Sequence, residues 1–481
     1  MIFNSYEFML IFLPIFMIGF YKKHSNEYFC DIWIIIGSLV FFAQFGAEHF
    51  LILVISLLWN ICTSIPMSFM RDQNIEVELF KIKVFPHKVW ILLGVIGNLI
   101  LLLFFKLGNG AFGFIYPVAI SFYTFNQISY IVDLYKGEIK EFNLIKYLCY
   151  VLFFPKLLQG PLMNYKNFSA QLEKTYNTEL DWERILRGLF LLSIGMFKKV
   201  ILADTFGSAV DYAYSSLIGL GSLEALLTAV FYSFQLYFDF SGYCDMASGI
   251  CLMLGFELPI NFDSPYKAVD IVDFWKRWHI TLTQFFTRYI YIPLGGSRKG
   301  KYRTYINIMI IFLISGFWHG TGITFIIWGA MHGVLYVITR ALEKTKDKKN
   351  NPLKILFTFI YVTAAWVFFR ASDVSEALML FGRIFTGGNK KIATGLSSCF
   401  QLDELWYVIK VTPIMKLGFA WDICLWLFLI MAIIVVFFAP NAIGYTGKCK
   451  IGIRTTLITA ILLVWCIVSF GGVSTFLYMN F

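Results

Sequence analysis

Residues 306–340, INIMIIFLISGFWHGTGITFIIWGAMHGVLYVITR, constrain the chain more than any other stretch. They begin as an apolar run, break at Gly316-Phe317-Trp318-His319-Gly320-Thr321-Gly322, and become apolar again with His332 in the second half. In hydrocarbon every backbone polar group must be bonded within the protein, so a run of this kind is helical. An ionisable side chain in a membrane-length segment is costly and marks a functional site. The structural alternative for either histidine is a neutral imidazole hydrogen-bonded inside a helix bundle.

Composition extends this reading to the whole chain. Of 481 residues, 58% are hydrophobic and 15% charged, with a mean hydropathy of +0.70. Soluble domains have about 45–50% apolar and about 25% charged residues. A spanning helix needs roughly 20 apolar residues, which leaves room for about 10–13 transmembrane or re-entrant helices. The expected fold is an all-α, polytopic membrane protein, residues 1–481 forming one bundle. Lys and Arg outnumber Asp and Glu by 40 to 30, but the basic residues lie in short loops between apolar runs. They read as positive-inside topology signals and lipid-headgroup contacts, not as a nucleic-acid surface. The nine cysteines include no CxxC pair and read as small buried hydrophobes. The N-terminus has no basic start and no small-residue cleavage site, so it reads as a retained membrane segment.

Apolar runs predict spans at 8–20, 32–45, 50–65, 89–105, 114–134, 188–202, 355–369, 423–438 and 457–470, with 387–416 outside. In the fifth run, Asn126, Ser129, Tyr130 and Asp133 recur at helical spacing, a stripe that must face protein or a water-filled cavity. Interhelical hydrogen bonding would satisfy the same pattern. The run 153–161, FFPKLLQGP, is broken by two prolines and a glycine, which suggests a re-entrant segment. Asp239 and Asp245 fall in an apolar context and need partners, with Lys198, Lys199 and Lys267 as candidates. Gly242, Ala247, Ser248 and Gly249 would let helices approach closely.

Residues 270–294, DIVDFWKRWHITLTQFFTRYIYIPL, mix basic and aromatic side chains, as a segment at or entering the interface does. The loop 295–303 carries four basic residues, which argues for a cytosolic position. With a helix starting near Thr304, His319 lies about 15 residues on, roughly 22 Å along the axis. That would put it deep in the bilayer, at the end of a channel for any cytosolic reagent.

The chemistry-bearing residues are therefore His279 and His319, each preceded by tryptophan (Trp278, Trp318). Histidine has an unperturbed pKa near neutrality and suits general-base work, and burial favours the neutral form that a base requires. Metal binding has little support, since no HxxxH or HxxE spacing occurs. A Ser-His-Asp triad stays open, although no GxSxG elbow is present. No Walker loop or GxGxxG provides for a nucleotide. Trp278 and Trp318 read as pocket-shaping residues, His332 as either site or packing, and Asp239, Asp245 and Asn126 as supporting candidates. His24, His49 and His87 lie in loops or at segment ends.

Several stretches in fixed order carry a family resemblance: MIFNSYEFMLIFLPI at the start, SFYTFNQISYIVDLYKG from Ser121, FFPKLLQGPL from Phe153 and YFDFSGYCDMA from Tyr237. LGFELPINFDSPY from Leu254 leads into DFWKRWHITLTQFFTRYIYIPLGGSR from Asp273, then GFWHGTGITFIIWGAMHG from Gly316 and AAWVFFRASDVSEAL from Ala364. The chain resembles the membrane-bound O-acyltransferase family, in its bacterial alginate O-acetyltransferase branch, with a signature core at about 115–340. The resemblance implies a central funnel or tunnel through the bundle, and a bacterial cytoplasmic-membrane enzyme that takes an acetyl group from cytosolic acetyl-CoA, with no permanently bound cofactor, and moves it toward an extracytoplasmic polysaccharide. It maps the signature histidine onto His319 as catalytic base or acyl relay and the second motif histidine onto His279; His332 falls in the WGxxHG part of the motif. It further implies a separate extracytoplasmic, esterase-like acetyltransferase as partner. A D-alanyl transfer protein of teichoic acid modification, fed by a carrier protein, is a related alternative. A proton-coupled transporter is an alternative of another class.

Overall fold

The computed structural model describes residues 1–22, 26–73, 77–79, 82–84, 86–176, 179–342, 351–402, 419–472 and 476–477. The chain packs as two compact units, Met1–Leu189 with Ala247–Pro259, and Phe190–Met246 with Ile260–Leu477. Both are helical, as the apolar runs require. A small antiparallel hairpin, β1 (Val77–Leu79) with β2 (Ile82–Val84), is the only β structure among the described residues.

In the first unit, a π-helical turn (Glu7–Phe12) leads into α1 (Leu13–Lys22), α2 (Glu27–Ala43), α3 (Ala47–Gln73), α4 (Pro86–Phe112) and α5 (Ile120–Tyr135). The expected span at 114–134 is corrected here. Its helix begins only at Ile120 and has 16 residues, fewer than the roughly 20 a crossing needs. All but Val132 and Tyr135 are buried, so the polar stripe faces protein on every side. Gln127 takes part in a buried polar network. Its Oε1 accepts Ser56 Oγ at 2.8 Å and Asn60 Nδ2 at 2.9 Å, and Asn60 and Asn98 bond to each other reciprocally. These bonds join α3, α4 and α5 where no water can satisfy amides.

The proline-rich stretch breaks at Phe153 into α6 (Leu144–Leu152) and the single turn α7 (Phe154–Leu157). Both ends of the break are buried, as non-helical backbone at membrane depth requires. Lys156 Nζ donates to Asn126 Oδ1 at 3.2 Å and lies 3.7 Å from the centre of the Tyr150 ring. Asn126 is thus committed to a polar knot in this unit, together with Tyr150 Oη at 3.2 Å. The amphipathic α8 (Tyr165–Thr175) follows.

The helix α9 (Trp182–Met196) passes into a π-helical turn, Phe197–Ala203, and then α10 (Asp204–Ser215). The π turn holds Lys198 and Lys199, facing the part of the long α11 (Ser222–Met253) that lies in the second unit, up to Met246. Lys198 pairs with Asp245 at 2.6 Å, and Lys199 with Asp239 at 2.7 Å and Asp204 at 2.8 Å. Lys267, the third candidate partner, instead donates to the Ala439 carbonyl. Asp239 also accepts the Leu477 amide at 3.1 Å. Both carboxylates therefore hold the bundle together. Gly242 permits this approach, because a Cβ there would lie 2.8 Å from the Gly195 carbonyl.

The rest of this unit comprises α12 (Ile271–Trp275), α13 (Ile280–Phe286) with a π turn to Tyr291, α14 (Lys301–His319), α15 (Ile323–Leu342), α16 (Pro352–Arg370), α17 (Val374–Thr386), α18 (Thr394–Ser398), α19 (Ala420–Phe437), α20 (Ala442–Lys448) and α21 (Ile453–Val468). The expected outer segment 387–416 lies outside the described residues from 403 onward. Six helical stretches among the described residues are long and apolar enough to cross a membrane: 47–70, 87–108, 323–342, 352–370, 420–437 and 453–471. The chain is a multi-pass membrane protein.

The opening stretch of the sequence is a helical hairpin. Its two arms touch backbone to backbone: a Cβ on Gly316 would sit 2.4 Å from the Phe325 carbonyl oxygen, and one on Gly329 2.4 Å from that of Phe312. Since the obstacle is backbone, neither arm can yield by a rotamer change. Gly316→Ala is expected to cost about 1–3 kcal/mol by overpacking. It should lower the melting temperature in detergent by several degrees, whereas Gly382→Ala, which meets open space, should leave it unchanged.

Candidate active site

The hairpin turn places His319. It is the last residue of α14, and the chain turns extended at Gly320, whose amide bonds the Gly316 carbonyl at 3.2 Å. Counted from Lys301 at the basic loop, the helix carries it about 27 Å along the axis. His319 thus stands at the tip of a hairpin, at the break in the apolar run. The side chain is 4% exposed. Its ring lies 4.4 Å from Trp318, 5.2 Å from Trp328 and 5.0 Å from Phe369, centre to centre.

His279 reaches the same aromatic cluster from another element. It caps α13 with φ at +45°, a left-handed conformation uncommon for a residue with a Cβ and one that clusters at functional sites. Its ring is 4.7 Å from Phe240, edge to face, and 6.4 Å from Trp318. Nδ1 lies 3.3 Å from Asn261 Oδ1. The side chain is buried, and burial pushes the imidazole below its ordinary pKa, toward the neutral form. Trp318 thus stands between two buried histidines.

His332 is also buried, but its role differs. Trp275 Nε1 donates to His332 Nδ1 at 3.3 Å. An indole nitrogen can only donate, so Nδ1 holds the lone pair and Nε2 the proton. The basic nitrogen of His332 is covered by that bond, and the ring packs 5.0 Å from Trp328 and 5.2 Å from Trp275. His332 is thus held within the aromatic wall by that bond and by its ring contacts. Trp278 is buried against Phe274, stacked at 5.6 Å, and Trp366 at 5.0 Å; it fills the wall behind the site.

His279, Trp318, His319, Trp328 and His332 form one row of rings, with His279 and His319 both against Trp318. Asp239 and Asp245 are engaged in ion pairs, and Asn126 belongs to the first unit. Residue-type reasoning passed over Asn261, Trp328 and Phe369. Asn261 stands in the LPINFDSPY stretch and Trp328 in the WGxxHG segment, but neither titrates. Among the described residues no three His, Cys, Asp or Glu side chains come together as a metal site would need.

A cavity of about 220 Å³ runs beside the hairpin in this unit. It is lined by Lys276 and Arg340, both exposed, and by Thr283, Tyr336, Trp275 and Ser315. Arg340 lies near the end of α15, beside the basic start of α14, and Ser315 is one turn before His319. The cavity therefore extends from the basic end of the hairpin to Ser315, and His319 is not part of its lining.

Residues 135–372 match the family model of MBOAT, the membrane-bound O-acyltransferase family. A protein named peptidoglycan O-acetyltransferase from Helicobacter pylori is 34% identical over 100% of this chain and 98% of its own length. A protein named "Probable alginate O-acetylase" from Pseudomonas putida is 35% identical over 82% of each chain. A teichoic acid D-alanyltransferase of Streptococcus thermophilus is 29% identical over 77% of this chain and 91% of its own. With such similarity along its whole length, and with a buried histidine at the tip of the matching hairpin, the chain belongs to the membrane-bound O-acyltransferase family and is an O-acyltransferase.

Proposed function

We propose that this enzyme moves an acetyl group from acetyl-CoA, arriving on the cytosolic face of a bacterial cytoplasmic membrane, toward hydroxyl groups of an extracytoplasmic polysaccharide. The observation that carries this reading is His319, buried at the tip of the α14–α15 hairpin beyond the cavity that starts at the hairpin's basic end. Full-length similarity to a peptidoglycan O-acetyltransferase favours a cell-wall glycan as the final acceptor. A separate extracytoplasmic esterase-like protein would complete the transfer.

His319 takes the proton from the acceptor hydroxyl as its oxygen attacks the thioester carbonyl. The carbon–sulfur bond then breaks, and the thiolate takes the proton back from the imidazolium to leave as the free thiol. The aromatic shell limits hydrolysis of the thioester by keeping bulk water away. In a variant of the same chemistry, the imidazole attacks the carbonyl, holds the acetyl group briefly, and passes it to the hydroxyl. An acetylated histidine trapped after acid quench would select the second route.

Lys276 and Arg340 would hold the phosphates of the donor at the cavity mouth. Reversing either charge, Lys276→Glu or Arg340→Glu, should weaken donor binding by about 1 kcal/mol, roughly fivefold in KM. The turnover number should hardly change, because binding common to ground and transition states is what is lost. Steady-state kinetics with labelled acetyl-CoA in nanodiscs checks this. Thioester loss in the wild type, with acetyl recovered on a glycan acceptor, supports the whole reading. Reaction only with an alanylated carrier protein would replace it with the D-alanyl alternative.

A further inference from the structure

We propose that Asn261 is a positioning residue that fixes the tautomer of His279 and so makes Nε2 the basic atom of that ring. The proposal rests on the reading above only in assigning His279 to the acyl-transfer site; the tautomer itself follows from hydrogen bonding.

Asn261 is 1% exposed, and its Oδ1 accepts from the Thr281 amide at 3.2 Å and from Thr281 Oγ1 at 2.9 Å. A backbone amide can only donate, so the atom facing it must be the oxygen of the carboxamide and not its nitrogen. The nitrogen then points the other way, toward Cys244 Sγ at 3.4 Å. An amide oxygen can only accept. The His279 nitrogen 3.3 Å from it, Nδ1, must therefore carry the proton, and in a neutral imidazole the lone pair is left on Nε2.

The main chain of Asn261 supports the same arrangement. Its carbonyl accepts the Ile280 amide at 3.0 Å. One residue thus takes donors from three successive positions, His279, Ile280 and Thr281. This grip holds the left-handed turn at His279 and with it the direction of the ring. His332 shows the opposite assignment, because the group facing its Nδ1 is a donor. Two buried histidines in one unit are set to opposite tautomers by the kind of atom each one meets, and only His279 has its Nδ1 proton held by a fixed acceptor. Nε2 is then the atom through which His279 receives a proton or a hydrogen bond from the reacting groups.

The test uses the full-length protein in nanodiscs, with acetyl transfer from labelled acetyl-CoA and nitrogen-15 NMR of labelled histidine. The His279 signals are assigned by their loss in His279→Ala. The wild type should show a protonated Nδ1 and an unprotonated Nε2 at His279. Asn261→Ala should lose this signature and lower kcat by about 10- to 100-fold, the range seen when partners that orient a functional histidine are removed. KM for acetyl-CoA should stay within about twofold, since the donor cavity is untouched. Asn261→Asp keeps the accepting oxygen; it should recover most of kcat and move the acid limb of the pH–rate profile upward, because a carboxylate favours the imidazolium. That rescue also answers a folding defect in the alanine variant. An Nε2-protonated His279 in the wild type, or full kcat in Asn261→Ala, overturns the proposal. A correct tautomer with full activity in His279→Ala would instead place the fault in the assignment of His279 to the site.

Discussion

His319→Ala is expected to lose acetyl transfer by a factor of about 10² to 10⁴, the span that positioned acid–base groups contribute. If the imidazole carries the acetyl group covalently, the loss lies at or beyond the upper end, because no other route splits the reaction into two steps. The ring sits at the end of α14, so removing it breaks no helical hydrogen bond. It does open a space against Trp318, Trp328 and Phe369, and some loss of stability accompanies the substitution. His319→Gln fills that space without supplying a base of useful pKa, and it should be nearly as inactive while melting closer to the wild type. The measurement is thioester loss from labelled acetyl-CoA, with elution on size exclusion and donor binding as controls. A folded, donor-binding His319→Gln protein that turns over within tenfold of the wild type would remove His319 from the chemistry.

The second large effect concerns stability. Lys199 is 1% exposed and Asp239 2%, and they meet at 2.7 Å with Asp204 close by. Removing one partner leaves a charge buried without compensation, at a cost of roughly 3–5 kcal/mol. Lys199→Met is expected to lower the yield of folded protein sharply and to depress the melting temperature of what remains. Asp239→Asn should act in the same direction. The double variant Lys199→Met/Asp239→Leu should recover part of that loss, since exchanging a buried pair for apolar groups is often close to neutral while the less buried Asp204 still loses its lysine. The recovery is measured as a coupling energy in a double-mutant cycle. Additive losses would show that the two side chains act separately.

These two experiments separate two kinds of polar residue that look alike in the sequence. Asp239, Asp245, His279, His319 and His332 all stand among apolar neighbours, and hydropathy flags them equally. Packing divides them. The carboxylates meet lysines from a π turn, where one extra residue per turn sets Lys198 and Lys199 against Asp245 and Asp239. That register cannot be read from spacing, because the partners lie 40 or more positions away along the chain. His332 meets an indole donor, and His279 an amide oxygen, for the same reason of long-range packing.

The helical class, the many membrane segments and the Trp-His pairs are decided by the sequence itself. Hydrocarbon offers the backbone no hydrogen-bond partner, so an apolar run of sufficient length has one conformation open to it, and a titratable group within it must have a use or a partner. Which of these it has depends on atoms brought together from distant positions. The sequence reads residues 114–134 as a span, but in the tertiary structure the helix begins only at Ile120 and all of it but Val132 and Tyr135 is buried. The sequence shows a break at Gly316–Gly322; the folded chain turns that break into the tip of a hairpin, because Gly316 and Gly329 let two backbones touch. Asn261 carries no charge and no unusual spacing, yet its oxygen determines which nitrogen of His279 is basic. Hydrogen-bond direction is a property of facing atoms, and only the fold decides which atoms face each other.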